Sequence, residues 1–575
     1  MKHSDEHEAE LECDLLVAGS GAGALVAALA AAHQGLDVIV AEKEDVFGGT
    51  SAYSGGWLWV PNNRLAQEAG IEDSAEQALA YLRHETGQYF NQECAEAYVR
   101  TAPEMMEFVE NNSPVQFTLY VELPDYRPNS PGAHQGGRTV YTRVWDGRQL
   151  GKDLDRLRRS HKSMTVGGMQ IANEDIRTFV TSGRRLSSFF GVVKLLAGNA
   201  FNLVRFGQTT RLGNGRALVG GLAAAAIARG VKLWTSSPVR CLLSENGEVT
   251  GAVVRHRGKD LAIRSRRGVI LATGGFPHDS RRRNQVVGDI MNDCATNSVA
   301  WGLMPRGNTG DGLRMAEQVG GKYDARVVDP IAYVPFSQTT SAEGDYGIFP
   351  AFLHRGVPGQ ICVTSDGKRF VSEGTSYHDW GAALIRKSGS EAETAAWFVC
   401  DARTLKKYGL LAVPPAPSPH GSFVRSGYLK KGETVRELAE VAGINPDGLE
   451  VAVNRFNADM AKGHDPDFGR GESPYEVING DPDHKPNANL GALDKGPYFA
   501  VKVTVGCAAT HPGLAINRNA QVLKNDGTAI RGLYAVGTDA VSVSGGIVLA
   551  GGITIGPAMT FGYLAARHAI SGEVR

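Results

Sequence analysis

The stretch from Leu15 to Lys43 constrains the fold of this chain more than any other part of the sequence. The apolar run Leu15–Ala18 leads into the glycine-rich turn GSGAGA, and apolar residues at helical spacing follow. A second apolar run ends at Glu42. The pattern predicts a strand, a tight turn, a helix and a parallel strand, which together form a βαβ unit.

The residue types in this unit are typical of a dinucleotide-binding site. Gly19 allows the sharp turn, and Gly21 lets the backbone approach a pyrophosphate at the N-terminus of the helix. Glu42, roughly twenty residues further on, is placed to accept hydrogen bonds from a ribose hydroxyl. A strand, turn and helix without a ligand is the alternative. The predicted contacts are Gly19, Gly21, Ala22, Gly23, Ala24, Glu42 and Lys43.

Length, composition and charge narrow the class of protein. With 575 residues, of which 42% are hydrophobic, the chain can build at least two domains with large cores. A net charge of -1 gives no support to a nucleic-acid partner. The polar N-terminus does not resemble a signal peptide, so we expect a cytoplasmic enzyme. The seven cysteines are scattered without a CxxC pair, so we predict neither disulfides nor a metal site.

A loop rich in glycine and then in aromatic residues follows the βαβ unit directly. The run GGTSAYSGG is followed by Trp57, Trp59 and the residues Pro61 and Asn62. So many glycines predict bare backbone that lies against a planar ligand. A flexible surface loop is the alternative, although it would leave two tryptophans exposed.

Together these motifs resemble the flavoprotein family of fumarate reductases and succinate dehydrogenases. Within that family, the turn GSGAGA, the glutamate that ends the next strand, the run GGTSAYSGG and the W-x-P-N that follows are most similar to the branch of 3-ketosteroid Δ1-dehydrogenases. The resemblance implies FAD as the cofactor. Respiratory succinate dehydrogenases bind the flavin covalently through a histidine, where this chain has Gly49 before Thr50, so we expect non-covalent FAD.

The resemblance also implies FAD contacts in several distant segments. The strand-like run that ends at Gly275, the run that ends at Asp539 and the glycine turn before Ile555 each resemble a segment of the family that touches the cofactor. The last of these begins a helix whose positive dipole end would face the flavin pyrimidine. The contacts implied beyond the βαβ unit are Gly48, Gly49, Thr50, Ser51, Ser54, Gly55, Gly56, Val239, Ala272, Thr273, Gly274, Gly537, Asp539, Gly552 and Ile555.

The order of these segments predicts the domain organisation. Because the dinucleotide pattern stops after Gly275 and resumes near Gly532, we predict an α/β fold in which a substrate domain interrupts a cofactor domain. The FAD-binding Rossmann-like domain would comprise residues 1–278 and 496–575, and an inserted α+β capping domain would comprise residues 279–495.

The candidate base lies in the segment that begins with Gly367-Lys368-Arg369-Phe370. Fumarate reductases carry a proton-donating arginine four residues after the acid of this segment, whereas this chain has Tyr377 four residues after Glu373. The ketosteroid dehydrogenases place a tyrosine here, which removes a proton beside the carbonyl. The resemblance therefore implies that Tyr377 is the catalytic base.

A second tyrosine is expected to assist the first. The segment Leu123-Pro124-Asp125-Tyr126-Arg127-Pro128 resembles the one that brings a tyrosine into the active site of the same branch, and Tyr120 is a rival for this role. Because a tyrosine has a pKa of about 10, its phenolate needs a stabilising donor or cation. Tyr126 and His378 are the candidates. A packed tyrosine without a chemical role is the alternative reading for either position.

The ketone-binding end departs from the family pattern. In that branch a tyrosine and a glycine N–H hold the ketone oxygen, and the glycine corresponds to Gly552, but the tyrosine falls near Val548. His511, before Pro512, is the nearest candidate for a replacement. It would bind a ketone or a carboxylate, or it is a structural histidine before a turn.

These observations predict an FAD-dependent dehydrogenase acting on CH–CH groups. We expect it to desaturate a small apolar cyclic ketone, a 3-oxosteroid or a smaller ring, next to its carbonyl, with hydride transfer to flavin N5 and an unidentified electron acceptor. The alternatives are a fumarate-reductase-like reduction of an unsaturated carboxylate and a non-catalytic electron-relay protein. The basic apolar stretch from residue 174 to 206 is expected to be a packed cap rather than a contact with a membrane.

Overall fold

The first sheet of the structure contains the predicted βαβ unit. The computed structural model describes residues 10–161, 165–166, 168–181, 186–291, 302–340, 346–352, 355–389, 394–460 and 462–572. Its first sheet has six strands, five parallel and an antiparallel strand at one edge. In spatial order they are Lys232–Trp234, Val38–Ala41, Leu15–Ala18, Val269–Leu271, Ala529–Ala535 and Gln521–Leu523.

Three helices pack around the start of this sheet. Ala22–His33 is buried along nearly its whole length between Asn214–Ala228 and Ile555–Ser571. The closest approach requires glycine, because a Cβ on Gly23 would lie 2.5 Å from the carbonyl oxygen of Ala558. The helix predicted after the last glycine turn is therefore packed directly against the first one.

The second large sheet is antiparallel, which agrees with the predicted α+β insertion. Its strands, in spatial order, are Tyr346–Pro350, Ile331–Thr340, Tyr498–Thr510, Ala395–Asp401 and Gln360–Val363, with Lys430–Gly432 paired to the third of them. The strand Tyr498–Thr510 lies beyond residue 495, so this sheet extends past the predicted end of the insertion. The helices Tyr377–Ser388, Ala402–Tyr408, Val435–Ala442 and Pro446–Met460 belong to the same part of the chain.

Smaller elements complete the cofactor side of the molecule. A four-stranded sheet contains Glu10–Cys13, Lys259–Ser265, Glu248–His256 and Val239–Glu245. A three-stranded sheet contains Trp57–Trp59, Thr139–Thr142 and Phe117–Leu119. The helices Ala75–Thr86 and Gln92–Asn112 follow the strand Trp57–Trp59 along the chain.

The helix Leu186–Phe206 is largely exposed, so the expectation of a packed cap is wrong for these residues. Only Asn199 is buried, and Phe190 and Val204 are 65% and 90% exposed. With 21 residues and a mean hydropathy of 1.3, the helix is long and apolar enough to cross a membrane. Length and composition alone support this statement, and buried helices of other proteins meet the same criteria.

Candidate active site

One large cavity joins the two main parts of the fold. Its volume is about 1310 Å³, whereas pockets for single small molecules usually measure about 300–1000 Å³. The glycine turn of the βαβ unit lines one end, and aromatic residues line the other. The cavity therefore has room for an extended ligand and a second molecule.

The glycine turn is held open towards this cavity. Gly19 has a φ of +102°, and a Cβ there would lie 2.2 Å from the carbonyl oxygen of Ala272. At Gly21 the nearest atom to an added Cβ is the Ser51 hydroxyl oxygen, at 3.4 Å. The N–H of Ala22, in the first turn of the helix, donates to the same hydroxyl at 3.0 Å. The turn and the glycine-rich loop thus form one continuous wall.

Glu42 lies at the carboxyl end of the second strand and lines the cavity. Its carboxylate accepts hydrogen bonds from the Ser20 hydroxyl at 2.5 Å and from the N–H of Glu44 at 2.9 Å. Burial raises the pKa of this carboxyl group. Lys43 Nζ lies 2.5 Å from an Asp311 carboxylate oxygen. The two residues predicted at the end of this strand therefore stand beside each other at the cavity.

Most residues predicted to touch the cofactor line the cavity, and three do not. Gly48, with a φ of +117°, and Gly56, with a φ of +66°, shape the loop behind the lining. Asp539 is fully buried and accepts hydrogen bonds from the N–H groups of Thr273 and Gly275, so it supports a turn that lines the cavity instead of lining it itself. The predicted residues in the lining are Gly19, Gly21, Ala22, Gly23, Ala24, Glu42, Lys43, Gly49, Thr50, Ser51, Ser54, Gly55, Val239, Ala272, Thr273, Gly274, Gly537, Gly552 and Ile555.

A cluster of three tyrosines lines the far end of the cavity. The ring of Tyr126 lies 5.9 Å from that of Tyr377 and 4.6 Å from that of Tyr475. Tyr377 is the first residue of its helix, where the Ser376 hydroxyl accepts a hydrogen bond from the N–H of Asp379 and caps the helix. The structure thus brings the two predicted catalytic tyrosines together and adds Tyr475.

The residues on either side of Tyr126 anchor its loop. The buried Asp125 carboxylate accepts hydrogen bonds from Trp59 Nε1 at 2.8 Å and from Arg138 at 2.9 Å. Arg127 pairs with Asp379 at 2.6 Å, and Asp379 is two residues after Tyr377. Although burial acts in the opposite sense, Arg127 holds the pKa of Asp379 below its usual value. This ion pair connects the loop of Tyr126 to the helix of Tyr377.

The environment of Tyr377 acts on its ionisation in two directions. Burial and the neighbouring Tyr475 raise the pKa of Tyr377 above its usual value, whereas Tyr126 and the guanidinium of Arg355 lower it. The sequence analysis missed both Tyr475 and Arg355, because neither lies in a segment that carries the family resemblance. The signal that could have found Arg355 is a single cation in an otherwise apolar, glycine-rich run.

His378 is not the cation beside the tyrosines, and this expectation is wrong. Its Nε2 lies 3.0 Å from an Asp329 carboxylate oxygen, and its Nδ1 accepts the N–H of Tyr333 at 3.2 Å. It is fully buried and is absent from the described lining of the cavity. The helical period places the side chain after Tyr377 on another face of the helix.

His511 does not reach the cavity either, so the structure does not support a ketone-binding role for it. Its Nδ1 lies 2.9 Å from the carbonyl oxygen of Asp329, and its ring lies 6.0 Å from that of His378. Burial, with a contribution from His378, lowers the pKa of His511 to about 4. The structure favours the alternative of a structural histidine before Pro512.

The ketone end of the site contains Gly552 and an aromatic wall. Gly552 lines the cavity with a φ of +90°, and a Cβ there would lie 2.5 Å from Leu58. Val548 is buried and has no hydroxyl, so this position cannot supply the donor that the family tyrosine provides. Trp57 packs against Gly551, and its ring lies 5.7 Å from that of Tyr120, which also lines the cavity. Tyr120 is thus linked to the turn at Gly551 through Trp57, whereas the hydroxyl of Tyr81 donates to the carbonyl oxygen of Leu549 in the same segment.

The acid of the predicted GKRF segment has a structural role. Glu373 is fully buried and pairs with Arg369 at 2.8 Å and with Arg470 at 3.0 Å. Its second oxygen accepts the N–H of Cys362 at 2.9 Å. These contacts fix the segment that leads into Tyr377.

Comparisons with known proteins agree with this arrangement. A family profile described as FAD binding domain matches residues 14–555. The chain is 38% identical over 571 residues to a 4-oxocyclohex-2-ene-1-carboxylate 5-dehydrogenase of Sinomonas cyclohexanicum, covering 99% of this chain and 95% of that protein. It is 35% identical over 568 residues to a 3-oxosteroid 1-dehydrogenase of Mycobacterium tuberculosis, covering 97% and 98%.

A solved structure of a related enzyme has a similar fold over nearly the whole chain. The crystal structure of the 3-ketosteroid Δ1-dehydrogenase from Sterolibacterium denitrificans, in complex with 1,4-androstadiene-3,17-dione, superposes with a TM-score of 0.89 at 32% identity. The match covers 98% of this chain and 100% of the other.

Proposed function

The chain belongs to the FAD binding domain family of flavoenzymes, and on this premise we propose that it desaturates a neutral cyclic ketone next to its carbonyl group. The family resemblance, the α/β fold and the FAD cofactor predicted from the sequence are confirmed. The protein is an FAD-dependent dehydrogenase that acts on CH–CH groups. The tyrosine base, the identity of the ketone and the non-covalent attachment of FAD belong to the proposal.

The residues at the glycine turn fit the cofactor. A helix N-terminus suits a pyrophosphate, and Gly21, where the Ser51 hydroxyl is the single atom within 4 Å of an added Cβ, allows close approach. Glu42 offers a carboxylate at the end of the second strand. When bound, FAD supplies the acceptor for the β hydride at N5. Every other step is assigned to residues of this chain.

Tyr377 is the base in this proposal. In the deprotonated form its phenolate oxygen takes the proton from the carbon next to the carbonyl, while the β carbon loses a hydride and a C=C bond forms. Tyr126, the nearest tyrosine on the loop side, acts as a donor that lowers the pKa of Tyr377. General-base catalysis of this kind contributes about 10²–10⁴-fold to a rate.

In this proposal the turn at Gly552 binds the ketone oxygen. Negative charge builds on this oxygen when the α proton leaves, and donors fixed in advance stabilise it. Gly552 contributes its N–H group, and the neighbouring Tyr120 is the candidate for the second donor.

A neutral substrate is favoured by the charges along the aromatic wall. Glu122 and Glu174 both line the cavity and act on Tyr141, which lies 6.1 Å from Tyr120 between ring centres. Both side chains are exposed, so solvent weakens their field, but its sign disfavours an anionic substrate. This observation supports a ketone without a carboxylate, such as a 3-oxosteroid, over the oxocyclohexene carboxylate of the Sinomonas relative.

An anaerobic substrate panel tests the proposal. The holoenzyme is mixed with a saturated 3-oxosteroid, with 4-oxocyclohexanecarboxylate and with succinate, and flavin bleaching is followed. We expect the 3-oxosteroid to bleach the flavin fastest. Faster bleaching by the carboxylate ketone would contradict the neutral substrate. Turnover of fumarate with a reduced dye would favour the fumarate-reductase-like alternative. If no compound bleaches the flavin and fumarate is not turned over, an electron-relay protein is favoured.

A further inference from the structure

Arg355 is a buried arginine whose position the reaction proposed above leaves unexplained. Its exposed fraction is 2%. The guanidinium donates hydrogen bonds to the carbonyl oxygens of Ala351, Phe352 and Thr375, and no partner of its Nε is found among the described residues. These contacts tie the residues before the arginine to the segment that enters the helix of Tyr377.

The charge of Arg355 has no carboxylate partner in the part of the chain that the structure describes. An arginine cannot shed its proton in a protein, and burying a charge without a counter-ion is costly. Arg470, another fully buried arginine of the same part of the chain, lies 3.0 Å from the Glu373 carboxylate. Arg355 therefore differs from its structural neighbour in lacking an anion.

What Arg355 faces instead is the tyrosine cluster. Its guanidinium binds the carbonyl oxygen of Phe352, whose ring lies 5.1 Å from that of Tyr377, and the carbonyl oxygen of Thr375, two residues before Tyr377. At this position its charge acts to lower the pKa of Tyr126, Tyr377 and Tyr475. The thiol of Cys362 is the remaining titratable group on which Arg355 acts, and burial raises the pKa of that thiol well above its usual value. The three tyrosines line the cavity and Cys362 is absent from its described lining, so among these described neighbours a tyrosine phenolate is the anion that can form beside a substrate, although burial raises the pKa of all three hydroxyl groups.

We propose that Arg355 is a positioning residue for the reaction, whose buried cation holds one negative charge on the cluster of Tyr126, Tyr377 and Tyr475. The three hydroxyl groups share this charge as a coupled unit, and Tyr377 carries it when substrate is bound. The inference rests on the function proposed above, because it concerns how the base becomes available. Arg355 would supply the cation that a tyrosine phenolate needs and that His378 does not provide.

Burial opposes the ionisation of the tyrosine cluster. A nearby cation is needed for this reason. A phenolate in an enclosed site loses its hydration, and this raises the pKa of Tyr377 above its usual value. An opposite charge within a few ångströms usually lowers a pKa by about 1–3 units. Arg355 is thus the group that can bring the ionisation of the cluster back towards the working pH.

The test compares Arg355→Met with Arg470→Met and Arg355→Lys in the holoenzyme. The rate of flavin bleaching by a saturated 3-oxosteroid is measured from pH 6 to pH 10. We expect Arg355→Met to move the rising limb of the pH profile upwards by about one unit or more, Arg355→Lys to move it less because its charge remains, and Arg470→Met to leave its position unchanged. A rate that falls equally at every pH, with no shift, would overturn the proposal and leave Arg355 a structural residue.

A second measurement does not depend on turnover. Holoenzyme labelled with ¹³C at tyrosine Cζ is titrated by NMR, with the signal of Tyr377 assigned from the Tyr377→Phe variant. We expect Tyr377 to ionise at a higher pH in Arg355→Met than in the unmodified enzyme, and an unchanged midpoint would contradict the proposal. If Tyr377→Phe bleaches the flavin at nearly the normal rate, the function proposed above fails instead. Loss of activity in Tyr377→Phe together with an unshifted Arg355→Met profile refutes the Arg355 inference alone.

Discussion

Tyr120, which lines the cavity, is the candidate for the donor that the family tyrosine near Val548 would supply. Its ring packs edge-on against Trp57, which itself contacts the glycine turn at Gly551. If Tyr120 donates to the ketone oxygen, Tyr120→Phe will lower the bleaching rate about 10²–10³-fold, the usual effect of losing one such donor.

Tyr141 provides the matched control for this variant. It lines the same wall, 6.1 Å from Tyr120, and its hydroxyl interacts with Thr118. We expect Tyr141→Phe to change the bleaching rate less than threefold, in the range of roughly 0.5 kcal/mol. Equal losses in both variants would indicate a general role of the wall and not a donor at Tyr120.

Burial of neutral His511 makes stability depend on pH. Its pKa in the folded protein, about 4, lies below its ordinary value of 6.5. The unfolded chain therefore binds more protons between these values, and stability falls as the pH falls from about 6.5 towards 4. Because of this histidine, the free energy of unfolding should be about 2 kcal/mol lower at pH 5 than at pH 7.

Urea unfolding at the two pH values measures this contribution. In His511→Gln the loss between pH 7 and pH 5 should be smaller by that amount, whatever the stability of the variant at pH 7. His464→Gln, a change at an exposed histidine, should behave as the unmodified protein does. An identical pH dependence in all three proteins would contradict the assignment of His511 as a buried neutral group.

Among the secondary-structure elements, the ion pair of Arg127 and Asp379 joins the loop of Tyr126 to the helix of Tyr377, the two tyrosines proposed for catalysis. The loop and the helix have no other charged connection among the described residues of these two segments. Arg127→Met should lower the bleaching rate about 10²-fold, because a shift of about 1 Å in a catalytic group has an effect of this size. FAD binding should be unchanged, since neither Arg127 nor Asp379 belongs to the described lining of the cavity.

The same variant should also lose stability. We expect less than the roughly 3–5 kcal/mol of a broken, fully buried pair, because 35% of the Arg127 side chain is exposed and solvent screens it. Arg100→Met, which removes an exposed pair with Glu76, serves as the control and should cost below about 1 kcal/mol. Normal bleaching by Arg127→Met would show that the pair does not position the tyrosines.

The exposed helix Leu186–Phe206 should associate with lipid surfaces. Its sequence contains no acidic residue and carries Lys194 and Arg205, and it contacts the helix Ile176–Thr181, of which Ile176 and Phe179 line the cavity. An apolar helix with cations favours anionic membranes.

Co-sedimentation with vesicles of phosphatidylcholine and phosphatidylglycerol tests this expectation. The unmodified holoenzyme should sediment with the vesicles, and the double variant Phe190→Ser and Val204→Ser should sediment less. Val451→Ser removes a side chain that is 66% exposed on another helix, and it should behave as the unmodified protein. A protein that stays in the supernatant would contradict the expectation.

At the scale of the whole molecule, local patterns predicted the cofactor half well. The strands Leu15–Ala18 and Val38–Ala41 begin and end close to where the apolar runs do, because a buried parallel strand must be apolar throughout. The turn at Gly19 was predictable for a similar reason, since its φ of +102° and its contact with Ala272 leave room only for glycine.

The substrate half was less predictable, because its site depends on contacts between distant segments. Arg355, Tyr126 and Tyr475 meet only after folding, and no local spacing in the sequence marks that meeting. Motif proximity was misleading for His378 and His511, whose side chains turn towards Asp329 instead of the cavity. The helix Leu186–Phe206 was misjudged because an amphipathic pattern indicates an apolar face but not what that face contacts, and here most of the apolar side chains are exposed.

The central claim is that Tyr377 removes a proton beside the carbonyl of a cyclic ketone. Anaerobic single-turnover bleaching of the bound flavin by a saturated 3-oxosteroid, compared between the unmodified enzyme and Tyr377→Phe at equal FAD occupancy, tests it most directly. We expect a rate at least about 10²-fold lower in Tyr377→Phe. A rate within about threefold of the unmodified enzyme would contradict it.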